Sequence, residues 1–194
     1  MIIATVLGLI AAYLLTNKSK SLSQSSAVFL MLPLGASGVL LGFGILISLN
    51  RGFLDFRSKW WIVPLAQGLL GVGIVARMSA NAIKKIDPTI RHAASTLGAS
   101  SLMIWRKIDY PIITKAVIAG SAFSFALAIG EFGATSFLVR PQRPTIPTTI
   151  FNLLGRPGSS TFGQAMALSV ILAVITWLVV SLLDRSGSLS TYEF

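Results

Sequence analysis

Apolar runs set the rhythm of this chain: Met1 to Leu15, Ala27 to Leu49, Trp60 to Ala76, Ala116 to Val139 and Gly163 to Leu183. Four of them carry no charged side chain, and the remaining one carries a single acid, Glu131. A helix rises about 1.5 Å per residue, so about 20 residues cross a hydrocarbon core of roughly 30 Å. The runs are therefore read as five helices of one all-α transmembrane domain covering residues 1–194. Met1 to Leu15 reaches only about 22 Å. Either Thr16 and Asn17 complete it in a thinned bilayer or upstream residues do, and a truncated N-terminus is the favoured expectation. No Lys or Arg precedes this run while Lys18 and Lys20 follow it, the reverse of a cleavable signal. The fourth run meets a similar limit, because stopping at Gly130 also leaves about 22 Å. The length argument carries it on to Val139, which places Glu131 inside the span. Small residues recur every fourth position, as close helix packing requires: Gly38 and Gly42, then Ala116, Gly120, Ser124 and Ala128, then Ala165, Ser169 and Ala173.

Composition agrees with the pattern. The chain is 54% hydrophobic and 11% charged, against about 25% charged in a soluble domain. Its formal charge of +10 could suggest nucleic acid, but that partner needs its cations on one face of a soluble fold. Here Lys and Arg sit in clusters between apolar runs, so a membrane is implied and nucleic acid is not. The segment from Arg77 to Lys115 holds seven of them: Arg77, Lys84, Lys85, Arg91, Arg106, Lys107 and Lys115. Placing it in the cytoplasm puts ten basic residues inside and six outside, with the N-terminus outside and the C-terminus cytoplasmic. The absence of Cys and the single His exclude disulfides, thiolate chemistry and a multi-His metal site. Gly71 to Ala76 fits the letters of a dinucleotide fingerprint, yet it lies in an apolar run with no strand before it and reads as helix packing. No Walker A pattern occurs, so ATP, if used, belongs to a partner and no cofactor is expected in this chain.

The polar segment has its own punctuation. Asp87-Pro88 is a helix start, since Asp accepts the free N–H groups of a first turn and Pro at the first position loses no bond. Gly98 is the matching stop. Thr89 to Leu97 is thus expected as a short helix, and Ser101 to Ile108 as a second, closed by Pro111. Neither is long enough to be stable alone in water, so both need something to pack on.

These residues resemble a known family. His92-Ala93-Ala94-Ser95-Thr96-Leu97-Gly98, nine residues, then Ile108-Asp109-Tyr110-Pro111 is similar to the "EAA" loop of binding-protein-dependent ABC importer permeases. Its spacing agrees throughout, with His92 in place of the usual Glu and Tyr110 in place of the usual Leu. The resemblance implies a five-helix permease core whose cytoplasmic loop, residues 77–115, is a coupling helix docking on an ATP-hydrolysing subunit. It implies docking by Asp87, Arg91, His92, Ala93, Ala94, Leu97, Gly98, Ala99, Ile108 and Pro111. It further implies a second permease half or an identical partner, an extracytoplasmic solute-binding protein, and a place in the cell inner membrane. Gly130-Glu131-Phe132-Gly133-Ala134-Thr135 is similar to iron(III), thiamine, molybdate and sulfate permeases. Thr145 to Phe151 and Gly163-Gln164-Ala165 look most like the iron and thiamine branch, in which this chain resembles a second half.

A carboxylate inside a span is costly, so Glu131 with Gly130 and Gly133 is a candidate for the solute pathway. The competing reading is a carboxylate near the interface that serves structure. Arg140, Arg143 and Arg156 either receive an acidic patch of the binding protein or form a solvated loop. A membrane-embedded enzyme would need paired acids, and Asp55, Asp87, Asp109, Glu131 and Asp184 are scattered. A passive channel would have no use for the docking loop. Within the permease reading iron(III) or thiamine is the expected solute, with molybdate, sulfate or polyamine as the alternative.

Overall fold

The computed structural model describes residues 1–16, 35–49 and 59–185, with the isolated positions 25, 29, 32 and 33; for 183–185 it describes backbone only. Among the described residues the helices are α1 (Ile2–Thr16), α2 (Gly38–Ser48), α3 (Ile62–Lys85), α4 (Pro88–Thr96), α5 (Ser101–Gly130), α6 (Gly133–Leu138), α7 (Ile146–Leu154) and α8 (Ser159–Arg185). No β-strand forms among the described residues; Arg140 and Arg143 make one isolated bridge. Three helices, α3, α5 and α8, are long and apolar enough to cross a membrane, while α1 and α2 are shorter apolar helices. The expected run from Ala27 to Leu49 lies partly outside the described residues, as do Lys18, Lys20, Arg51, Asp55 and Arg57.

Helix α3 is the centre of the bundle, with α1 and α5 packed along it. Among the described residues most buried hydrophobic positions are alanine, including Ala4, Ala11, Ala66, Ala76, Ala116 and Ala119. Large side chains point outward: Val6, Leu40, Phe125, Trp177 and Leu182 are all exposed. This inverts a water-soluble core, and it is what lipid demands, since tails solvate large apolar groups while small ones let backbones approach. The small-residue row of α5 meets α3 as expected. A Cβ on Gly71 would collide with the Ser124 hydroxyl, and Gly120 lies against the Val75 backbone. Polar ties also cross the bundle: Thr5 and Ser121 hydroxyls meet at 2.7 Å, and Gln67 donates to the Ala128 carbonyl at 2.8 Å.

The structure moves several expected boundaries. Arg77 does not end the third helix; α3 runs on to Lys85 with Ala80 and Ala82 buried and Arg77 turned outward. Pro111 does not close a separate short helix. Ser101 to Gly130 is continuous, because a π-helical turn over Trp105–Asp109 precedes the proline. Widening that turn relieves the clash between the proline ring and the carbonyl four residues back. The length missing from the fourth span thus lies on its N-terminal side, and the helix stops at Gly130 instead of continuing to Val139. Of the polar segment only residues 86–100 lie outside α3 and α5.

Candidate functional site

The connection between α3 and α5 is built as its punctuation implies. The Asp87 carboxylate accepts the Thr89 N–H at 2.8 Å with Pro88 in the first turn. That N–H, and then the Thr89 hydroxyl, hold the exposed Asp87 carboxyl below its ordinary range. At the other end Gly98 has φ +83°. Its N–H reaches the Ser95 carbonyl at 3.0 Å, and the Ala99 N–H reaches Ala94 at 3.0 Å. This pair of bonds is a Schellman motif, in which the glycine takes the left-handed conformation and the flanking apolar residues close the end. It accounts for Ala94, Gly98 and Ala99 together: two small side chains either side of a residue without a Cβ. Nothing lies within 4 Å of a Cβ built on Gly98, so conformation alone requires glycine there.

Helix α4 hardly packs on the bundle, and none of its residues is buried. His92 and Ala93 are exposed, Leu97 is 88% exposed and Leu102 73%. Ile90, Met103 and Trp105 are also exposed, so an apolar surface surrounds the cap. Ile108 is half-buried in the π-helical turn and Pro111 is exposed. Arg91, expected among the docking residues, has another occupation. Its Nε donates to Asp109 Oδ1 at 2.9 Å, and Asp109 is buried. This pair ties α4 to α5 at the π-helical turn. Asp109 was missed because it falls in an unassigned gap of the motif; its position 18 residues after Arg91 gives no helical spacing to read.

The second constellation lies at the far end of α5. Backbone turns extended at Glu131 (φ −71°, ψ 121°) and resumes helix at Gly133. The Glu131 carboxylate folds forward over α6: Oε1 accepts the Ala134 N–H at 2.8 Å and Oε2 the Thr135 N–H at 3.1 Å. It caps a short helix where the chain leaves α5. Helix α6 in turn rests on α2, where a Cβ on Gly42 would stand 2.5 Å from Ala134 Cα. A Cβ on Gly38 would stand 2.6 Å from Glu131 Oε1. Of the three expected pathway residues, Gly130 and Glu131 line a cavity of about 980 Å³ between α3, α5 and α8. Gly133 faces the backbone of Val39 on α2 instead. Gln67, Ser124, Thr176 and Trp177 also line that cavity, and among the described residues the buried Ser124 hydroxyl has no hydrogen-bond partner. Among the described residues no group of His, Cys, Asp or Glu is placed to hold a metal.

A bundle that buries alanine, exposes large apolar side chains and carries, among its described residues, three helices long and apolar enough to cross a membrane defines a multi-pass membrane protein. The chain belongs to the family described as binding-protein-dependent transport system inner membrane component, whose sequence model matches residues 4–189. It is similar to a Salmonella paratyphi A protein named as the 2-aminoethylphosphonate transport system permease PhnV, 29% identical over 94% of this chain and 68% of the relative. The molybdenum transport system permease ModB of Escherichia coli K12 is 30% identical over 92% of this chain and 84% of its own. The sulfate permease CysT of Salmonella typhimurium LT2 is 28% identical over 91% and 68%. The all-α fold is that of an ABC importer permease, an inner-membrane transport subunit.

Proposed function

We propose that this chain forms half of the solute pathway of an ATP-driven importer, with α4 as the coupling helix seated on a separate ATP-hydrolysing subunit. The other half is a second permease chain or a second copy, and a binding protein delivers solute. The observation that carries this is the exposed apolar surface of Ile90, Leu97, Leu102 and Met103 around a rigidly capped, otherwise unpacked helix. A helix of nine residues is not stable without packing, so a partner completes it. In this reading α4 lies in the cytoplasm and the N-terminus, three crossings before it, lies outside.

For the solute we favour a small oxyanion over iron(III) or thiamine. The named relatives serve 2-aminoethylphosphonate, molybdenum and sulfate systems. The three carboxylates whose side chains are described each have a partner in the protein: Asp87 with Thr89, Asp109 with Arg91, Glu131 with α6. Glu131 is thereby spent on structure, which weakens its expected attraction for a cation. The test is Leu97→Asp in the assembled importer. Loss of ATPase co-purification with unchanged membrane abundance is expected, and full retention overturns the coupling assignment. ATP-dependent uptake of sulfate, molybdate and 2-aminoethylphosphonate, compared with thiamine and iron(III), tests the solute class.

A further inference from the structure

At the end of α5 remote from α4 lies a second, smaller cavity of about 430 Å³, walled by Phe132, Ser136, Arg140, Asn152 and Arg156 among others. Among the described residues no carboxylate lines it. A tight turn holds Arg140, with the Arg143 N–H on the Arg140 carbonyl at 3.0 Å. Helix α7, started by a reciprocal Thr145–Thr148 cap, presents Asn152 from its last turns, and Arg156 follows that helix directly. Among the described residues the side chains of Asn152 and Arg156 have no hydrogen-bond or ionic partner. The hydroxyl of Ser136 is already donated to Gly133. The free donors are therefore a neutral amide and a guanidinium, and Arg140 also lines the cavity.

One side chain connects this cavity with the larger one. Phe132 lines both, and its ring packs on Phe151 at 5.1 Å between centroids. The side chain shared by the two cavities is thus aromatic, and the neighbouring Glu131 carboxylate on the larger cavity's wall has both oxygens on N–H groups of α6.

We propose that the smaller cavity is an anion-collecting antechamber, in which Arg156, Arg140 and Asn152 receive a small oxyanion before it passes Phe132 into the larger cavity. Guanidinium and amide groups suit a tetrahedral or trigonal oxyanion because each offers several N–H groups in fixed directions. Clustered like charges at a low-dielectric mouth concentrate counter-ions by about tenfold or more. The inference rests on the oxyanion reading above.

The native chain has no cysteine, so Asn152→Cys can be read alone, by mass spectrometry of this chain within the assembled importer. An anionic sulfonatoethyl methanethiosulfonate is compared with its cationic trimethylammonium analogue, each normalised to a small free thiol. The anionic reagent is expected to react faster by about tenfold at low ionic strength. That preference should shrink with added salt, disappear with Arg156→Gln, survive Arg156→Lys, and be slowed by millimolar sulfate or molybdate. A ratio equal to that of the free thiol overturns the proposal without any arginine variant. A ratio indifferent to Arg156→Gln in a normally abundant complex overturns it also. Protection by the binding protein but not by free oxyanion overturns it in favour of a protein-docking surface. Uptake separates the two readings. Oxyanion import with a neutral ratio removes the antechamber and leaves the solute class standing, whereas import of thiamine or iron(III) alone removes both.

Discussion

Two short helices in this molecule begin on a carboxylate, and they differ in everything else. Asp87 starts α4 in the open, followed by proline, on a helix with no buried residue. Glu131 starts α6 from inside the bundle, half-buried, on a helix whose Ala134, Thr135 and Leu138 are buried against α2 and α3. The chemistry is the same, an anion on the free N–H groups of a first turn. In α4 the cap preserves a shape for another protein to grip. In α6 it satisfies partly buried backbone N–H groups where the chain leaves α5. An acid in an apolar stretch is therefore not by itself a solute ligand; its partners decide.

The largest effect expected from breaking this contrast is at Gly42. A Cβ there meets the Ala134 backbone, with Cα at 2.5 Å and O at 2.6 Å, and backbone cannot swing aside. Gly42→Val should cost about 3 kcal/mol, read as a lowered melting temperature in detergent and reduced accumulation. Next is Glu131→Ala, which strands the Ala134 and Thr135 N–H groups and should cost about 2 kcal/mol. Glu131→Gln, keeping one acceptor, should cost less, with uptake falling only in proportion to folded protein. If Glu131→Gln melts like the parent yet does not transport, the acid acts on solute and the contrast collapses.

On the α4 side the effects are smaller and fall on coupling. Gly98→Ala strains the left-handed residue by about 1 kcal/mol, with no clash added. Gly98→Asn, which tolerates that conformation, should recover most ATPase co-purification lost in Gly98→Ala and in Gly98→Asp. Equal binding by all three would show that the Schellman end has no part in docking. Asp87 should give the smallest change, visible through pH. Its carboxyl is lowered in the folded chain, so the ionised cap stabilises α4 above the ordinary aspartate value and is lost as pH falls through the lowered one. Amide exchange in Thr89 to Arg91, corrected for intrinsic rates, should quicken below about pH 4. Asp87→Asn should remove that dependence.

Much of α4 is legible in the sequence because its signals are local: Asp-Pro, two alanines and a glycine lie within one short stretch. The packing rows are legible for the same reason, since small residues at every fourth position describe one face. What escapes is whatever depends on distant partners. Arg91 and Asp109 are joined at the π-helical turn that carries α5 on past Pro111, and the proline hides that continuity by its usual meaning as a helix end. Counting from Lys115 carries the fourth helix on to Val139, whereas Lys115 lies midway along α5, which ends at Gly130. Counting measures length and cannot say at which end the length is missing.

The π-helical turn before Pro111 can be put as a matter of phase. An α-helix advances about 100° per residue, and a π turn admits one residue more than an α turn would. Trp105–Asp109 therefore sets the angular offset between the two functional faces of α5. One face offers Asp109 to Arg91; the other lays Ala116, Gly120 and Ser124 along α3. With that single extra residue removed, one face could be aligned only by rotating the other out of contact, so the helix acts as a rigid shaft whose two ends were keyed to each other at this turn.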